Sequence, residues 1–205
     1  MNKLKLSFFI TAVILLETLF FNSSTAVSNI DGKEKQIIED GIYIIESQIN
    51  NNYVLDVAQG SKENCANIRW WENANVANQR FKIAYIGDGY YKIIAGNSNK
   101  VLDVNAAGKT NGTNVQQYEY NYSAAQQWKI KDAGNGNYYF ISKCNDLYLD
   151  VAAEQVKNGT NVQVYAGNGS NAQKFKLKKY EAPKQTIEDG VYTIASNANS
   201  NYVLD

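Results

Sequence analysis

Residues 101–128, with the sequence VLDVNAAGKTNGTNVQQYEYNYSAAQQW, are the middle one of three similar segments and decide the fold. The same landmarks occur upstream as NYVLDVAQG (52–60) and NQRF (78–81), and downstream as DLYLDVAAE (146–154) and AQKF (172–175). The aspartates and glutamines of the copies keep a constant spacing of 47 positions, at Asp56, Asp103 and Asp150 and at Gln79, Gln126 and Gln173. A unit of this length cannot bury its own apolar face, so the period predicts repeats that share one core. Chemistry present in one repeat is then expected three times, which favours binding over catalysis.

The composition favours strands and turns. Of the 205 residues 12% are aromatic, and 14 Gly accompany a single Pro. Each repeat contains four short runs, most of them rich in Val, Ile, Leu or aromatic residues and bounded by Gly, Asn, Asp or Ser. The predicted strands are 42–45, 53–57, 68–71, 80–84, 90–94, 101–104, 115–118, 128–131, 138–141, 147–151, 162–165 and 174–178. Twelve strands in one domain predict an all-β barrel, because closure removes exposed strand edges.

Charge and residue types narrow the function. Twenty basic residues balance 20 acidic ones, so no overall field attracts nucleic acid. The chain has no histidine, so neither a Ser-His or Cys-His nucleophile nor a histidine-ligated zinc can be built, and we expect no metal or cofactor. Glycoside hydrolysis needs two carboxyl groups in different roles across one bond, whereas repeat-related aspartates are expected in similar environments far apart. The sequence therefore predicts that this chain is not itself an enzyme.

The two ends of the chain differ from the repeats. Residues 1–26 have the basic start, the apolar run and the small residues of a cleaved signal peptide, which predicts a secreted, extracellular protein without stable membrane insertion. An uncleaved anchor is the weaker alternative, since Glu17 interrupts the apolar run. Residues 27–38 are expected to be a short loose leader, and 39–180 the three-repeat domain.

The C-terminal part restarts the pattern. Residues 181–186 contain the only proline, Pro183, and are interpreted as a linker. The sequence IEDGVYTIASNANSNYVLD at 187–205 then closely copies IEDGIYIIESQINNNYVLD at 38–56. It predicts the truncated start of a second three-repeat domain.

The two cysteines lie at unlike positions of the repeats. Export would permit a disulfide between Cys65 and Cys144, which the sequence leaves open. Cys65 stands where the other repeats have Gly112 and Gly159. Because cysteine prefers negative φ, we expect the first of these three turns to be of another type.

The repeated motifs resemble those of the ricin-type β-trefoil lectin family, which includes carbohydrate-binding modules. The resemblance rests on the LDV strand, the NVQ strand with its terminal aromatic, and the closing motif, found here as Gln79-Arg80-Phe81, Gln126-Gln127-Trp128 and Gln173-Lys174-Phe175. It implies a β-trefoil: a six-stranded barrel capped by three hairpins, with up to one shallow sugar site per repeat. The implied partner is a glycan or polysaccharide.

The residue types in each repeat suit a sugar. A carboxylate accepts charge-assisted hydrogen bonds from hydroxyls, and an aromatic side chain packs on the apolar face of a pyranose ring. The candidates are Asp56, Trp71 and Asn78 in the first repeat, Asp103, Gln116, Tyr118 and Asn121 in the second, and Asp150, Gln163, Tyr165 and Asn168 in the third. Arg69 replaces the glutamine in the first repeat, which makes that site doubtful. The three closing glutamines are expected to be mainly structural, bonded to the backbone.

Two other classes of function stay open. A protein-binding or toxin-associated trefoil would use the same scaffold through its loops. An accessory part of a glycoside hydrolase would carry a catalytic domain beyond this chain.

Overall fold

The computed structural model describes residues 34–183, 190–191, 195–196 and 199–203. The predicted signal peptide, the first part of the leader and residues 184–186 of the linker lie outside the described residues. Among the residues that are described, no helix combines the length and the apolar character needed to cross a membrane.

Between residues 41 and 179 the chain forms twelve strands, and each overlaps a predicted one. The strands are β1 Gly41–Ser47, β2 Asn50–Val57, β3 Ile68–Glu72, β4 Phe81–Gly87, β5 Tyr90–Ala95, β6 Val101–Val104, β7 Thr113–Tyr118, β8 Trp128–Gly134, β9 Asn137–Ser142, β10 Tyr148–Val151, β11 Thr160–Tyr165 and β12 Phe175–Lys179. The only helical segments in the described chain are 3-10 turns of three residues.

Six of these strands close into a barrel. β1 pairs with β4 and β12, and the ring continues through antiparallel pairs β4–β5, β5–β8, β8–β9 and β9–β12. The other six strands form hairpins β2–β3, β6–β7 and β10–β11, and β11 joins the other two hairpins by pairing with β3 and β7. This is the six-stranded barrel with three capping hairpins that the resemblance implied.

The LDV motif splits its side chains between two faces. Successive residues of a strand point to opposite faces, so Leu102 and Val104 face one way and Asp103 the other. Both apolar side chains belong to the core with 0% exposure. The same holds for the leucine and valine of the other copies, and the closing aromatics Phe81, Trp128 and Phe175 are also fully buried. Burial of each such side chain stabilises the domain by about 2 kcal/mol, and the alternation places each aspartate on the outer face of the core strand.

The turn at Cys65 has the same backbone conformation as its two counterparts, so the prediction of another turn type is wrong. Cys65 has φ of 65°, against 84° for Gly112 and 89° for Gly159. In each turn the backbone N–H donates to a carbonyl of a neighbouring repeat: Cys65 to Gln117 of the second at 2.9 Å, Gly112 to Val164 of the third at 2.9 Å and Gly159 to Trp70 of the first at 3.0 Å. Docking between repeats outweighs a left-handed backbone that costs about 1–2 kcal/mol in a non-glycine residue. Cys65 and Cys144 are both free thiols.

The described part of the leader, residues 34–38, is mostly exposed but forms hydrogen bonds to the barrel. Residues 34–38 lie against the barrel, where the Tyr91 hydroxyl accepts the backbone N–H groups of Ile37 at 2.8 Å and Ile38 at 3.0 Å. Ile38 is 6% exposed and belongs to the core. The buried Ile38 side chain and these hydrogen bonds together attach the segment to the domain.

The C-terminal tail contains one hairpin, formed by β13 Ala195–Ser196 and β14 Asn199–Val203. Ala195 pairs with Val203 and Ser196 with Asn199, which is the register of Glu46 with Val54 and Ser47 with Asn50 in β1–β2. The hairpin thus has the pairing of the first two strands of the domain. That it begins a second trefoil stays a prediction.

Candidate functional site

The strand register places a fixed partner opposite each aspartate of the LDV motif. Asp56 pairs with Arg69, Asp103 with Gln116 and Asp150 with Gln163. The aspartates are 2%, 6% and 5% exposed. A carboxylate this buried needs hydrogen-bond donors, and the opposite residue supplies one in every repeat.

The second site consists of Asp103, Gln116, Tyr118 and Asn121, which line one cavity of about 410 Å³. Gln116 Nε2 donates to Asp103 Oδ1 at 3.0 Å, so the carboxylate is oriented from one side. The structure therefore brings together all four residues that were predicted in this repeat.

The third site is built in the same way. Asp150, Gln163, Tyr165 and Asn168 line a cavity of about 340 Å³. Gln163 Nε2 donates to Asp150 Oδ1 at 2.9 Å, and Gln173 Nε2 to Asp150 Oδ2 at 3.1 Å. The Tyr165 side chain borders the cavity and is 38% exposed, so its ring is accessible. Again the four predicted residues lie together.

The closing glutamines shape the loop beside each cavity. Gln126 and Gln173 are fully buried, and each Oε1 accepts the backbone N–H of the site asparagine, Asn121 at 2.8 Å and Asn168 at 2.9 Å. Their Nε2 atoms donate to backbone carbonyls at 2.9 and 3.0 Å. The predicted structural role of the glutamines is confirmed, and through it they position the site asparagines.

The two site asparagines also have a local turn role. Asn121 Oδ1 accepts the N–H of Ser123 at 3.0 Å, and Asn168 Oδ1 accepts the N–H of Ser170 at 2.9 Å. These bonds fix the amide plane at the cavity wall. The Nδ2 group of each asparagine is the part of the amide that can donate to a ligand.

The first site has the predicted residues together, but they bind one another. Asp56 Oδ1 accepts from Arg69 Nε at 2.7 Å, and Oδ2 accepts from Asn78 Nδ2 at 2.8 Å and Gln79 Nε2 at 3.1 Å. The Arg69 guanidinium carbon lies 3.7 Å from the centroid of the Trp71 ring. Both oxygens of the carboxylate are engaged, as they are in Asp150, but here an arginine also pairs with the carboxylate and covers one face of the ring, so Arg69 closes this site from within.

Burial raises the pKa of the aspartates in the second and third sites, which we call the open sites because no arginine covers them. Desolvation raises the pKa of Asp103 above its usual 3.8, against the opposing effect of its glutamine hydrogen bonds. Desolvation likewise raises the pKa of Asp150, with hydrogen bonds from Gln163 and Gln173 lowering it and the nearby Glu154 charge adding a smaller upward effect. The glutamine hydrogen bonds favour the ionised form of both groups, in which their oxygens act as hydrogen-bond acceptors.

Residues outside the predicted sets also line the two cavities. Besides valines and alanines, they are Cys65, Asn105 and Ser123 at the second site, and Glu154 and Ser170 at the third. Cys65 comes from the preceding repeat, because the turn that contains it docks on β7. A Cβ atom on the counterpart Gly112 would similarly lie 3.7 Å from Gln163 of the third site. Alignment of the repeats shows that only the first of these turns has a side chain, that of Cys65. It does not show which site this turn approaches.

The arrangement in the second and third repeats suits a polyhydroxylated ligand. A buried carboxylate accepts from hydroxyl groups, amides donate and accept beside it, and a tyrosine offers a ring for apolar C–H groups. The cavities are open and small, so they fit one or two rings of a ligand and not a large apolar molecule.

Comparison with known proteins agrees with this architecture. The family model for ricin-type beta-trefoil lectin domain-like proteins matches residues 35–118, 77–165 and 124–205. No curated protein matches the sequence.

Several solved structures are similar to the chain. The designed threefold-symmetric protein ThreeFoil is 33% identical with a TM-score of 0.67, over 69% of this chain and 100% of that one. An exo-beta-1,3-galactanase from Clostridium thermocellum is 29% identical with a TM-score of 0.66, over 71% of this chain and 32% of that one. A mosquitocidal holotoxin is 25% identical with a TM-score of 0.66, over 82% of this chain and 20% of that one. The chain thus spans only a minor part of the galactanase and holotoxin chains.

Proposed function

Because the chain belongs to the ricin-type β-trefoil lectin-like family, we propose that it binds carbohydrate through its second and third repeats. One observation carries this proposal: two cavities with the same four-residue set, each with a buried carboxylate beside an accessible tyrosine, lie in equivalent positions of the fold. The first repeat has the same scaffold, but Arg69 forms an ion pair with its carboxylate and covers its aromatic ring. The domain is therefore proposed to be divalent.

Each site is expected to be weak on its own. A shallow polar cavity that holds one ring gives an affinity on the order of 1 mM, or ~4 kcal/mol. Two sites on one rigid domain raise the avidity for a polymer or a glycan-coated surface. The proposed role is hence to attach a larger extracellular protein to glycans, with no enzymatic activity in this chain.

The proposed wider setting comes from the neighbours and the N-terminal sequence. In the galactanase and the holotoxin the similar region is a minor part of a longer chain. Export is proposed from the signal-peptide pattern at residues 1–26. N-terminal sequencing of the protein recovered from the medium of an expressing bacterium tests it, and a chain that stays in the cell with Met1 intact contradicts it.

Substitution of both open sites tests the binding proposal. The double variant Asp103→Asn/Asp150→Asn keeps the shape and the glutamine contacts but removes the charged acceptor. Retention on polysaccharide columns and a glycan array is expected to fall at least about tenfold, since a hydrogen bond to a charged group contributes about 1.5–3 kcal/mol. Asp88→Asn, in the exposed turn between β4 and β5, is the matched control and is expected to bind like the parent.

The outcome separates the two main alternatives. Binding to a glycan that the double variant retains would show that the sites are misassigned. Binding to a protein partner that free sugars do not displace would instead support the protein-binding trefoil.

A further inference from the structure

Tyr122 has a backbone conformation that its side chain disfavours. Its φ is 66°, in the left-handed region, where the equivalent residues are Asn75 with φ of 55° and Gly169 with φ of 72°. Glycine is free to adopt this region and asparagine tolerates it, but a bulky aromatic residue there is an outlier. Such strain persists only where the surroundings enforce it, and it clusters at ligand sites.

The surroundings of Tyr122 do enforce this conformation. Its backbone carbonyl accepts from Gln127 Nε2 at 3.0 Å, and Gln127 Oε1 in turn accepts from Lys143 Nζ at 2.7 Å. The side chain is nevertheless 76% exposed, so burial in the core does not explain why a tyrosine stands here.

Tyr122 is adjacent in the chain to two residues of the second site, although its own side chain is not part of the cavity wall, and its ring is paired with that of another tyrosine. Its two chain neighbours, Asn121 and Ser123, both line the second cavity. Its ring centroid is 4.4 Å from that of Tyr120, and the rings are tilted by 45°. The Lys92 ammonium lies 4.7 Å from the centroid of the Tyr120 ring and holds that ring by a cation–π contact. The result is a supported pair made of a half-buried and an exposed tyrosine, close in the chain to residues that line the second cavity.

The aromatic pair is present in the second repeat only. The equivalents of Tyr120 and Tyr122 are Asn73 and Asn75 in the first repeat and Gly167 and Gly169 in the third. The third repeat has no room for a side chain at the first of these positions, because a Cβ atom on Gly167 would lie 2.7 Å from the Tyr148 ring. The second and third sites therefore share the same four residue types but differ in the residues of the adjoining loop.

We propose that Tyr120 and Tyr122 form an outer subsite of the second site, which binds a further pyranose ring of an oligosaccharide. This rests on the proposed function and narrows it: the second site takes a glycan chain of two or more residues, whereas the third repeat, with Gly167 and Gly169 at these positions, lacks this subsite. The exposed ring of Tyr122 offers an apolar face for the C–H groups of the next sugar. In this proposal a tyrosine stands at a strained backbone position because its ring contributes to ligand binding, not because it stabilises the fold.

The test isolates the second site with the background substitution Asp150→Asn and compares ligands of different length. The probes are galactose, N-acetylgalactosamine, glucose and mannose, and a β-linked trisaccharide of each, titrated by calorimetry. The Asp150→Asn protein, the parent in this test, is expected to bind the trisaccharide of its preferred sugar about 2- to 10-fold more tightly than the monosaccharide. This is the gain in affinity that one aromatic contact provides.

The decisive variant is Tyr122→Gly, which relieves the strain and copies Gly169. It is expected to leave the monosaccharide affinity and the melting temperature no lower than in the parent, while the trisaccharide affinity falls to that of the monosaccharide. Asn75→Gly, at the same backbone position of the first repeat, is the matched control and is expected to change neither affinity.

The possible results are distinct. If Tyr122→Gly lowers both affinities by the same factor, or changes neither, the outer subsite is refuted while carbohydrate binding stands. A trisaccharide that binds no more tightly than its monosaccharide refutes it as well. If the parent binds none of the sugars, the proposed function fails and the subsite with it.

Discussion

Replacement of Arg69 by glutamine is expected to open the first site. Arg69 Nε is 2.7 Å from Asp56 Oδ1, and the guanidinium covers the Trp71 ring at 3.7 Å. The equivalent residues Gln116 and Gln163 still orient their aspartates from the same strand position. Arg69→Gln therefore keeps a donor opposite Asp56 but uncovers the ring and removes the competing charge.

The size of the effect follows from the ion pair. The side chains of Arg69 and Asp56 are 18% and 3% exposed, so the pair is mostly buried. Removing one partner of a fully buried pair costs about 3–5 kcal/mol; for a pair that reaches solvent at one end we take about 2 kcal/mol. A sugar that must break this contact binds roughly 30-fold more weakly, so a site of about 1 mM becomes one of about 30 mM. In the variant the first site should approach the affinity of the other two, with some loss in the free energy of unfolding.

Tryptophan fluorescence reports on the first site alone. Of the 3 tryptophans in the chain, Trp70 and Trp128 are fully buried, whereas Trp71 is partly exposed in the first site. The second and third sites contain tyrosines instead. A glycan that saturates the parent should leave the tryptophan emission nearly unchanged, and the same glycan should shift it in Arg69→Gln, with calorimetric stoichiometry rising from two to three.

A matched variant controls for the lost charge. Arg80→Gln removes another arginine of the first repeat, one that stacks on Tyr180 and makes no contact with Asp56, and it should leave the emission unresponsive. A tryptophan response in the parent would show that Arg69 does not close the site. Absence of a response in Arg69→Gln, with the other two sites active, would refute the reasoning that the ion pair is the obstacle.

Two further predictions concern the open sites. Because the pKa values of Asp103 and Asp150 are raised above 3.8, acidification should protonate them and abolish binding at a pH higher than an ordinary aspartate would require. A folded-state pKa above the unfolded value gives a stabilising contribution that is full below the unfolded pKa and lost as the pH rises through the folded one. Melting curves and calorimetry from about pH 7 to about pH 4 should therefore show binding fade while protonation of these two groups stabilises the fold, and unchanged affinity throughout would contradict the acceptor role. Alkylation of Cys65, whose thiol lines the second cavity, should halve the calorimetric stoichiometry, with Cys65→Gly insensitive to the reagent and as active as the parent; full stoichiometry after complete labelling would mean that the ligand does not reach this wall.

Much of the architecture was predictable because it depends on local pattern. The alternation in LDV determines which side chains enter the core, and the constant spacing of 47 positions determines that the three aspartates occupy equivalent places. The pairing of Asp103 with Gln116 follows from hairpin register, which joins residues only 13 positions apart. The four-residue sets of the second and third sites were predictable for the same reason.

What only the tertiary structure decided depends on contacts between distant parts of the chain. Sequence by itself determined three equivalent strand sets, each with its carboxylate, because period and alternation act over a few residues. It did not determine that the Asp56 carboxylate accepts hydrogen bonds from Arg69 and Asn78. Which donors reach a carboxylate depends on the positions of side-chain atoms in the folded chain. Nor did it determine that Cys65 borders the neighbouring repeat's site, because that contact arises only when the hairpins dock. Repeats that are alike in sequence thus differ in the contacts of their sites through a few side chains within and between them.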